Sequence, residues 1–150
     1  MNDTNGFAKE VFGFFTEIGI INQLSTTLLA KSLPDGVHPS HFSILNHLAR
    51  LGDGKSPNQI ASAMQVTKNT MTHSLKVLSD RTYIEVRPDP QDGRGKLVYL
   101  TPSGRSFRDG AIAQVSADFA HIFGADQIAL MRRIGGDLEA MRKHLDNNRQ

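Results

Sequence analysis

The chain has 150 residues, enough for one ordinary domain and too few for two catalytic ones. Hydrophobic residues make up 39% and charged residues 21%, the usage of a folded protein and not of a disordered or low-complexity chain. Cysteine is absent, which excludes disulfides, zinc–thiolate centres and thiol redox sensing, and a net charge of +2 is too small to name a partner by itself.

Met1-Asn2-Asp3-Thr4-Asn5-Gly6 lacks the positive segment of a secretory signal, and no uncharged apolar run reaches about 18 residues. A cytoplasmic protein without a membrane span is expected. Phe7, Val11, Phe14, Ile18, Ile21, Ser25 and Leu28 follow alternating steps of four and three, which predicts a first helix. Phe12, Phe15, Ile20 and Leu24 lie off that stripe, so the helix has more apolar surface than one core contact needs and is expected to pack on a second chain. Leu33-Pro34-Asp35-Gly36 ends it with a turn.

A second helix starts at Pro39 with Ser40 nearby and carries Phe42, Leu45 and Leu48 at helical spacing. Gly52-Asp53-Gly54 closes it. Ser56-Pro57-Asn58-Gln59 then reads as a cap, a first-turn proline and a capping-box glutamine, ahead of a helix that buries Ile60, Ala61, Met64 and Val66. Thr67 caps one more helix, with Met71, Leu75 and Leu78 facing inward. Tyr83 to Arg87 and Lys96 to Thr101 switch to strand-forming residues on either side of a polar turn from Pro88 to Gly95, which predicts an antiparallel hairpin. After Pro102, Phe107, Ile112, Val115, Phe119 and Ile122 predict a long helix that breaks near Gly124. Ile134, Leu138, Met141 and Leu145 carry a last helix, with Gly135-Gly136 as a weak point in its continuity. The fold class is therefore mainly α with a small β-hairpin.

Charge is unevenly placed. Between Arg50 and Arg108 there are ten Lys/Arg against five Asp/Glu, whereas the flanks are net acidic. Within this basic stretch, the helix from Lys68 to Ser79 turns Lys68, Asn69, Thr72, His73 and Lys76 outward, with no acid among them until Asp80. Such a face offers donors to phosphates and base edges without repelling them. Two short helices joined by Gln65-Val66-Thr67 form a helix-turn-helix pattern whose second member reads the groove. In the hairpin turn, Arg94 and Lys96 are flanked by Gly93 and Gly95, which allow close approach to another backbone, and Asp92 can orient the Arg94 guanidinium.

The order helix-turn-helix, then Asp92-Gly93-Arg94-Gly95-Lys96, then Leu97-Val98-Tyr99-Leu100-Thr101-Pro102-Ser103-Gly104, resembles the multiple-antibiotic-resistance regulator (MarR) family of winged helix-turn-helix transcription regulators. The likeness covers nearly the whole chain. It implies a single domain over residues 1–150, with dimerisation helices at 7–32 and 103–147 and a DNA-binding lobe at 37–102. It implies a homodimer on a pseudo-palindromic double-stranded DNA operator, more often a repressor, released by a small aromatic effector. Carried onto this sequence, the DNA-binding candidates are Ser56, Asn58, Gln59, Thr67, Lys68, Asn69, Thr70, Thr72, His73, Lys76, Arg87, Asp92, Arg94 and Lys96. The dimerisation candidates are Phe7, Val11, Phe14, Ile18, Leu138, Met141 and Leu145. The family commonly has glycine just after the recognition helix, but this chain has Arg81-Thr82-Tyr83-Ile84; a β-branched residue disfavours a left-handed cap, so a different exit turn into the wing is expected.

Two alternatives stay open at this point: a winged-helix dimer serving a protein partner, or a zinc-sensing module using His38, His41 and His47. Steps of three and six do not bring those histidines onto one helical face, so solvated or capping histidines are expected and no metal site. No Gly-x-Ser-x-Gly, Gly-x-x-x-x-Gly-Lys or His-Glu-x-x-His occurs, so neither an enzyme nor a cofactor is expected.

Overall fold

Six helices and one antiparallel hairpin follow each other in the computed structural model, which describes residues 4–149. They are α1 (Thr4–Lys31), α2 (Pro39–Leu51), α3 (Pro57–Met64), α4 (Lys68–Asp80), β1 (Ile84–Asp89), β2 (Asp92–Leu100), α5 (Pro102–Phe119) and α6 (Ala125–Asn147). The chain divides into two compact units, Met1–Ala113 and Gln114–Gln150. None of these helices is long and apolar enough to cross a membrane.

Local chemistry sets most of the helix starts. Ser56 precedes α3, its hydroxyl accepting the Gln59 N–H at 3.1 Å while its own N–H donates to Gln59 Oε1 at 2.9 Å, the reciprocal capping box read from the sequence. Thr67 caps α4 by accepting the Thr70 N–H at 3.2 Å. At α2 the cap is His38: its N–H donates to Nδ1 of His41 at 3.0 Å, so an imidazole fills the role usually played by Glu or Gln. Gly124 precedes α6, which runs through Gly135-Gly136 without a break. Ile122 is not in a helix: α5 stops at Phe119, three residues earlier than the apolar spacing implied.

The core of the first unit is one cluster, Ile44, Leu45 and Leu48 from α2, Ile60 and Ala61 from α3, Met71, Leu75 and Leu78 from α4, Ile84 from β1 and Val98 from β2. Each of α2, α3 and α4 thus contributes its inner stripe, and the hairpin closes one side. Met64 is only partly buried, and Val66, expected inside, is 38% exposed. The cause is Gln65, which ends α3 in the left-handed conformation at φ 56°, turning the next side chain outward. Val66 instead lines a cavity of about 180 Å³ beside α4, with Ser40, Ser43, Ile44, Met64 and Thr70.

Helices α1 and α6 contribute no buried residue. On α1, Phe7 is 69% and Phe12 74% exposed, and on α6 Ile134, Leu138, Met141 and Leu145 are exposed as well.

The hairpin is longer than the sequence suggested. Ile84 faces Leu100 and the ladder continues to Asp89 opposite Asp92, with an irregularity between Pro88 and Asp89. Only Pro90 and Gln91 remain as the turn, so Arg94 and Lys96 stand on β2 and not in a loop. A third segment, unrecognised in the sequence, joins the sheet: the Gly54 N–H donates to the Val98 carbonyl at 3.0 Å and the Val98 N–H to the Lys55 carbonyl at 2.8 Å. Asp53 adds to this anchoring by accepting the Leu100 N–H at 2.8 Å.

Candidate nucleic-acid interface

The outward face of α4 follows from its inner one. With Met71, Ser74, Leu75 and Leu78 buried, Lys68, Asn69, Thr72, His73 and Lys76 are all exposed. Their hydrogen-bonding capacity differs. Thr67 and Thr70 are joined at the cap, the Thr67 hydroxyl donating to Thr70 Oγ1 at 3.0 Å. The Thr72 hydroxyl donates back to the Lys68 carbonyl at 2.9 Å. Lys76 pairs with Asp80 at 2.7 Å, so the acid that sequence reasoning placed beyond the face reaches back one turn onto it. Both partners are well exposed, and the pair is open to exchange with another anion. At the start of α3, the Ser56 hydroxyl and the Gln59 amide oxygen are spent on the capping box, and Asn58 points to solvent.

The wing differs from expectation in one contact. Asp92 does not orient the Arg94 guanidinium; its Oδ1 accepts the Arg94 backbone N–H at 3.0 Å. A carboxylate two residues back closes an Asx-type turn more readily than it reaches the far end of a long side chain. Arg94 and Lys96 are exposed and carry no ion pair among the described residues. Gly95 sits in a close place within the wing itself: a Cβ there would lie 3.3 Å from Cβ of Asp89 and 3.4 Å from the Asp92 carbonyl oxygen, so the neighbours would have to give slightly. Arg87, unlike Arg94 and Lys96, is engaged: it pairs with Glu85 at 2.8 Å and its guanidinium lies 4.4 Å from the centre of the Tyr99 ring.

The exit from α4 overturns the expectation of a different turn. Thr82 adopts φ 61°, the left-handed conformation usually given to glycine. Its N–H donates to the Ser79 carbonyl at 2.9 Å and the Tyr83 N–H to the Leu78 carbonyl at 3.0 Å, the two bonds of a Schellman cap. Thr101 locks it from outside. Its hydroxyl donates to the Thr82 carbonyl at 2.6 Å and its N–H to the Tyr83 carbonyl at 3.1 Å. The same hydroxyl accepts the Gly104 N–H at 2.9 Å and so caps α5. A Cβ on Gly104 would fall 2.0 Å from the Tyr83 carbonyl oxygen. The Leu-Thr-Pro-Ser-Gly run is thus the joint where α4, the wing and α5 meet.

Of the three histidines weighed for metal, His41 is buried and serves the α2 cap. Burial first, then the electrostatic influence of His38, His73 and Arg81, holds its imidazole below the usual histidine range, and His47 is lowered by burial, Lys55 and Arg50. No group of three or more His, Asp or Glu able to hold a metal occurs among the described residues. Of the dimerisation candidates, Phe7, Val11 and Phe14 on α1 and Leu138, Met141 and Leu145 on α6 are exposed, and Ile18 is half-buried.

Comparison with known proteins places this geometry. The MarR family model matches residues 35–95, the span from the start of the lobe to the wing. The multiple antibiotic resistance protein MarR of Salmonella typhimurium is 30% identical over 105 residues, covering 69% of this chain and 72% of the relative. Among solved structures, apo wild-type MarR of E. coli superposes with a TM-score of 0.70 at 23% identity, over 82% of this chain and 94% of that one. A mutant of the same E. coli protein complexed with operator DNA gives 0.63 at 21% identity, over 87% and 96%. Bordetella bronchiseptica BpsR, described as regulated in DNA binding by 6-hydroxynicotinic acid, gives 0.64 at 19% identity, over 85% and 98%. The chain belongs to the MarR family of DNA-binding, winged helix-turn-helix transcription regulators.

Proposed function

We propose that the chain works in the cytoplasm as a homodimeric, sequence-specific repressor that a small aromatic molecule releases from DNA. The observation that carries the DNA side is the face of α4: five exposed donor-bearing side chains with no carboxylate until Asp80, which is itself paired with Lys76. In this reading α4 enters the major groove, and Arg94 and Lys96 of the wing reach the flanking backbone and minor groove. Asn58 and the first turn of α3 meet phosphate, while Ser56, Gln59, Thr67, Thr70 and Asp92 hold the donors in place and Arg87 steadies the wing. The operator complex of the E. coli relative supports this use of the fold.

Dimerisation is supported by the exposed apolar side chains of α1 and α6, which a monomer would leave in water. Segments 7–32 and 103–147 supply the seam, and 37–102 is the lobe that reads DNA. Two lobes related by a two-fold axis would address half-sites about 34 Å apart. Effector release is supported by the regulated relative BpsR, and such a ligand acts by preferring a lobe spacing that misfits the operator.

Fluorescence anisotropy on upstream genomic duplexes and on a scrambled duplex, over a salt series, tests the reading. Site-selective binding that weakens steeply with salt is expected, with a logarithmic slope of about 0.9 per phosphate contacted. Equal, weak binding to every upstream duplex and to the scrambled one would favour a protein partner instead.

A further inference from the structure

The intramolecular contacts of α4 sort its outward side chains into those already engaged and those still able to read a base. Thr67 and Thr70 are committed to the cap, the Thr72 hydroxyl donates to the Lys68 carbonyl, and Lys76 is paired with Asp80, a partner that another anion such as a phosphate would replace. Three remain. Lys68, the first helical residue, is a flexible point charge, suited to a phosphate more than to a planar base edge. Asn69 and His73 have planar, directional side chains, are exposed, and carry no intramolecular hydrogen bond among the described residues.

Spacing fixes how far apart they read. Residues four apart lie on one face of a helix, displaced by about 6 Å along its axis. Successive base pairs rise by about 3.4 Å, so the two side chains meet base pairs about two steps apart. Chemistry assigns the bases. The asparagine amide carries one acceptor beside two donors and matches the N6–H and N7 of adenine; guanine sets O6 against the amide oxygen. Histidine carries at least one ring N–H in every protonation state, and guanine presents only acceptors, N7 and O6, on that edge.

We infer that Asn69 reads an A·T pair and His73 a G·C pair about two steps away in each operator half-site, so that these two side chains set operator choice. The inference rests on the placement of α4 in the major groove proposed above.

Selection from randomised duplexes by the full chain, followed by affinity measurements on single-base variants, tests it with wild type, Asn69→Ala, His73→Ala and His73→Asn. Wild type should enrich a palindrome holding an A·T and a G·C pair two steps apart in each half. Asn69→Ala should level the preference at the A·T position, which in wild type is worth about 5- to 150-fold, and His73→Ala should level the G·C position. His73→Asn should convert that position from G·C to A·T, a gain that misfolding does not produce. Full retention of the A·T preference by Asn69→Ala, or of G·C by His73→Asn, would overturn the assignment while leaving DNA binding intact. If wild type enriches no sequence at all, the groove placement itself falls and the assignment falls with it.

Discussion

Gly104→Ala is the sharpest test of how α4 is joined to the rest of the lobe. A methyl on Gly104 would sit 2.0 Å from the carbonyl oxygen of Tyr83 and 2.8 Å from its carbon. Carbon–oxygen contacts settle at roughly 3.3 Å or more, so α5 and the exit turn of α4 must separate by about 1.3 Å. Both sides of that contact are backbone, and no rotamer change relieves it. Separation pulls on the Thr101 N–H to Tyr83 bond at 3.1 Å and on the Gly104 N–H to Thr101 Oγ1 bond at 2.9 Å. Losing both costs about 2 kcal/mol, and the overpacking adds about 1–3, for an expected loss of about 3–5 kcal/mol. Urea denaturation at fixed protein concentration, without DNA, measures it. Gly110→Ala in the same helix is the control: nothing lies within 4 Å of its Cβ position, and a gain of up to about 1 kcal/mol is expected. If Gly104→Ala stays within about 0.5 kcal/mol of wild type with an unchanged m-value, the joint is not where this reasoning puts it.

Three further outcomes follow from contacts described above. Thr82→Gly should stabilise the protein by about 0.5–1 kcal/mol in the same titration, because the left-handed conformation costs an L-residue about 1–2 kcal/mol and glycine gives back only part of that through unfolded-state entropy; a destabilised variant would mean that the threonine side chain holds the turn. His41 has a folded pKa below its ordinary 6.5, so the two states match at pH 8, and below about 6.5 the unfolded chain takes up a proton the folded one refuses. Stability should therefore fall from pH 7.5 to 5.5, and His41→Gln, which keeps an acceptor at the third helical position, should reduce that slope without abolishing it, since His47 is shifted in the same direction. An unchanged slope would remove His41 from the account. Arg94→Ala should weaken binding to every duplex and lower the salt slope by about one per wing, and unaltered affinity and slope would refute the role given to the wing.

What the sequence made legible was whatever is decided within a few residues. Ser56 and Gln59 are three apart and Thr67 precedes its helix directly, so both caps could be read as side-chain chemistry acting on adjacent backbone. The inner stripe of α4 was legible for the same reason, being a period and not a contact. The features that escaped are settled across the chain. That Lys55 lends a third segment to the hairpin depends on Val98, and nothing in Gly54-Lys55 alone signals a strand. The length of the wing was missed because Asp89 and Asp92 are poor strand formers on propensity, yet they pair once Val86 and Val98 have set the register.

Thr82 shows how a local rule can be correct in physics and mistaken in outcome. A β-branched residue does disfavour φ 61°, which by itself predicts a different turn. The conformation is imposed by partners far along the chain: Thr101 holds the carbonyls of both Thr82 and Tyr83, and Gly104 lets α5 press onto the latter. Those residues carry the likeness to the family motif, and the reason for the motif is mechanical. The Leu-Thr-Pro-Ser-Gly run begins α5 and fixes the exit angle of α4 through one hydroxyl, which donates to the exit turn and accepts from the new helix. The face bearing Asn69 and His73 and the wing bearing Arg94 are thereby set relative to one another by groups that touch neither base nor phosphate in the proposed complex. Changes at Thr101 or Gly104 should therefore disturb recognition and stability together, whereas changes at Asn69 should disturb recognition alone.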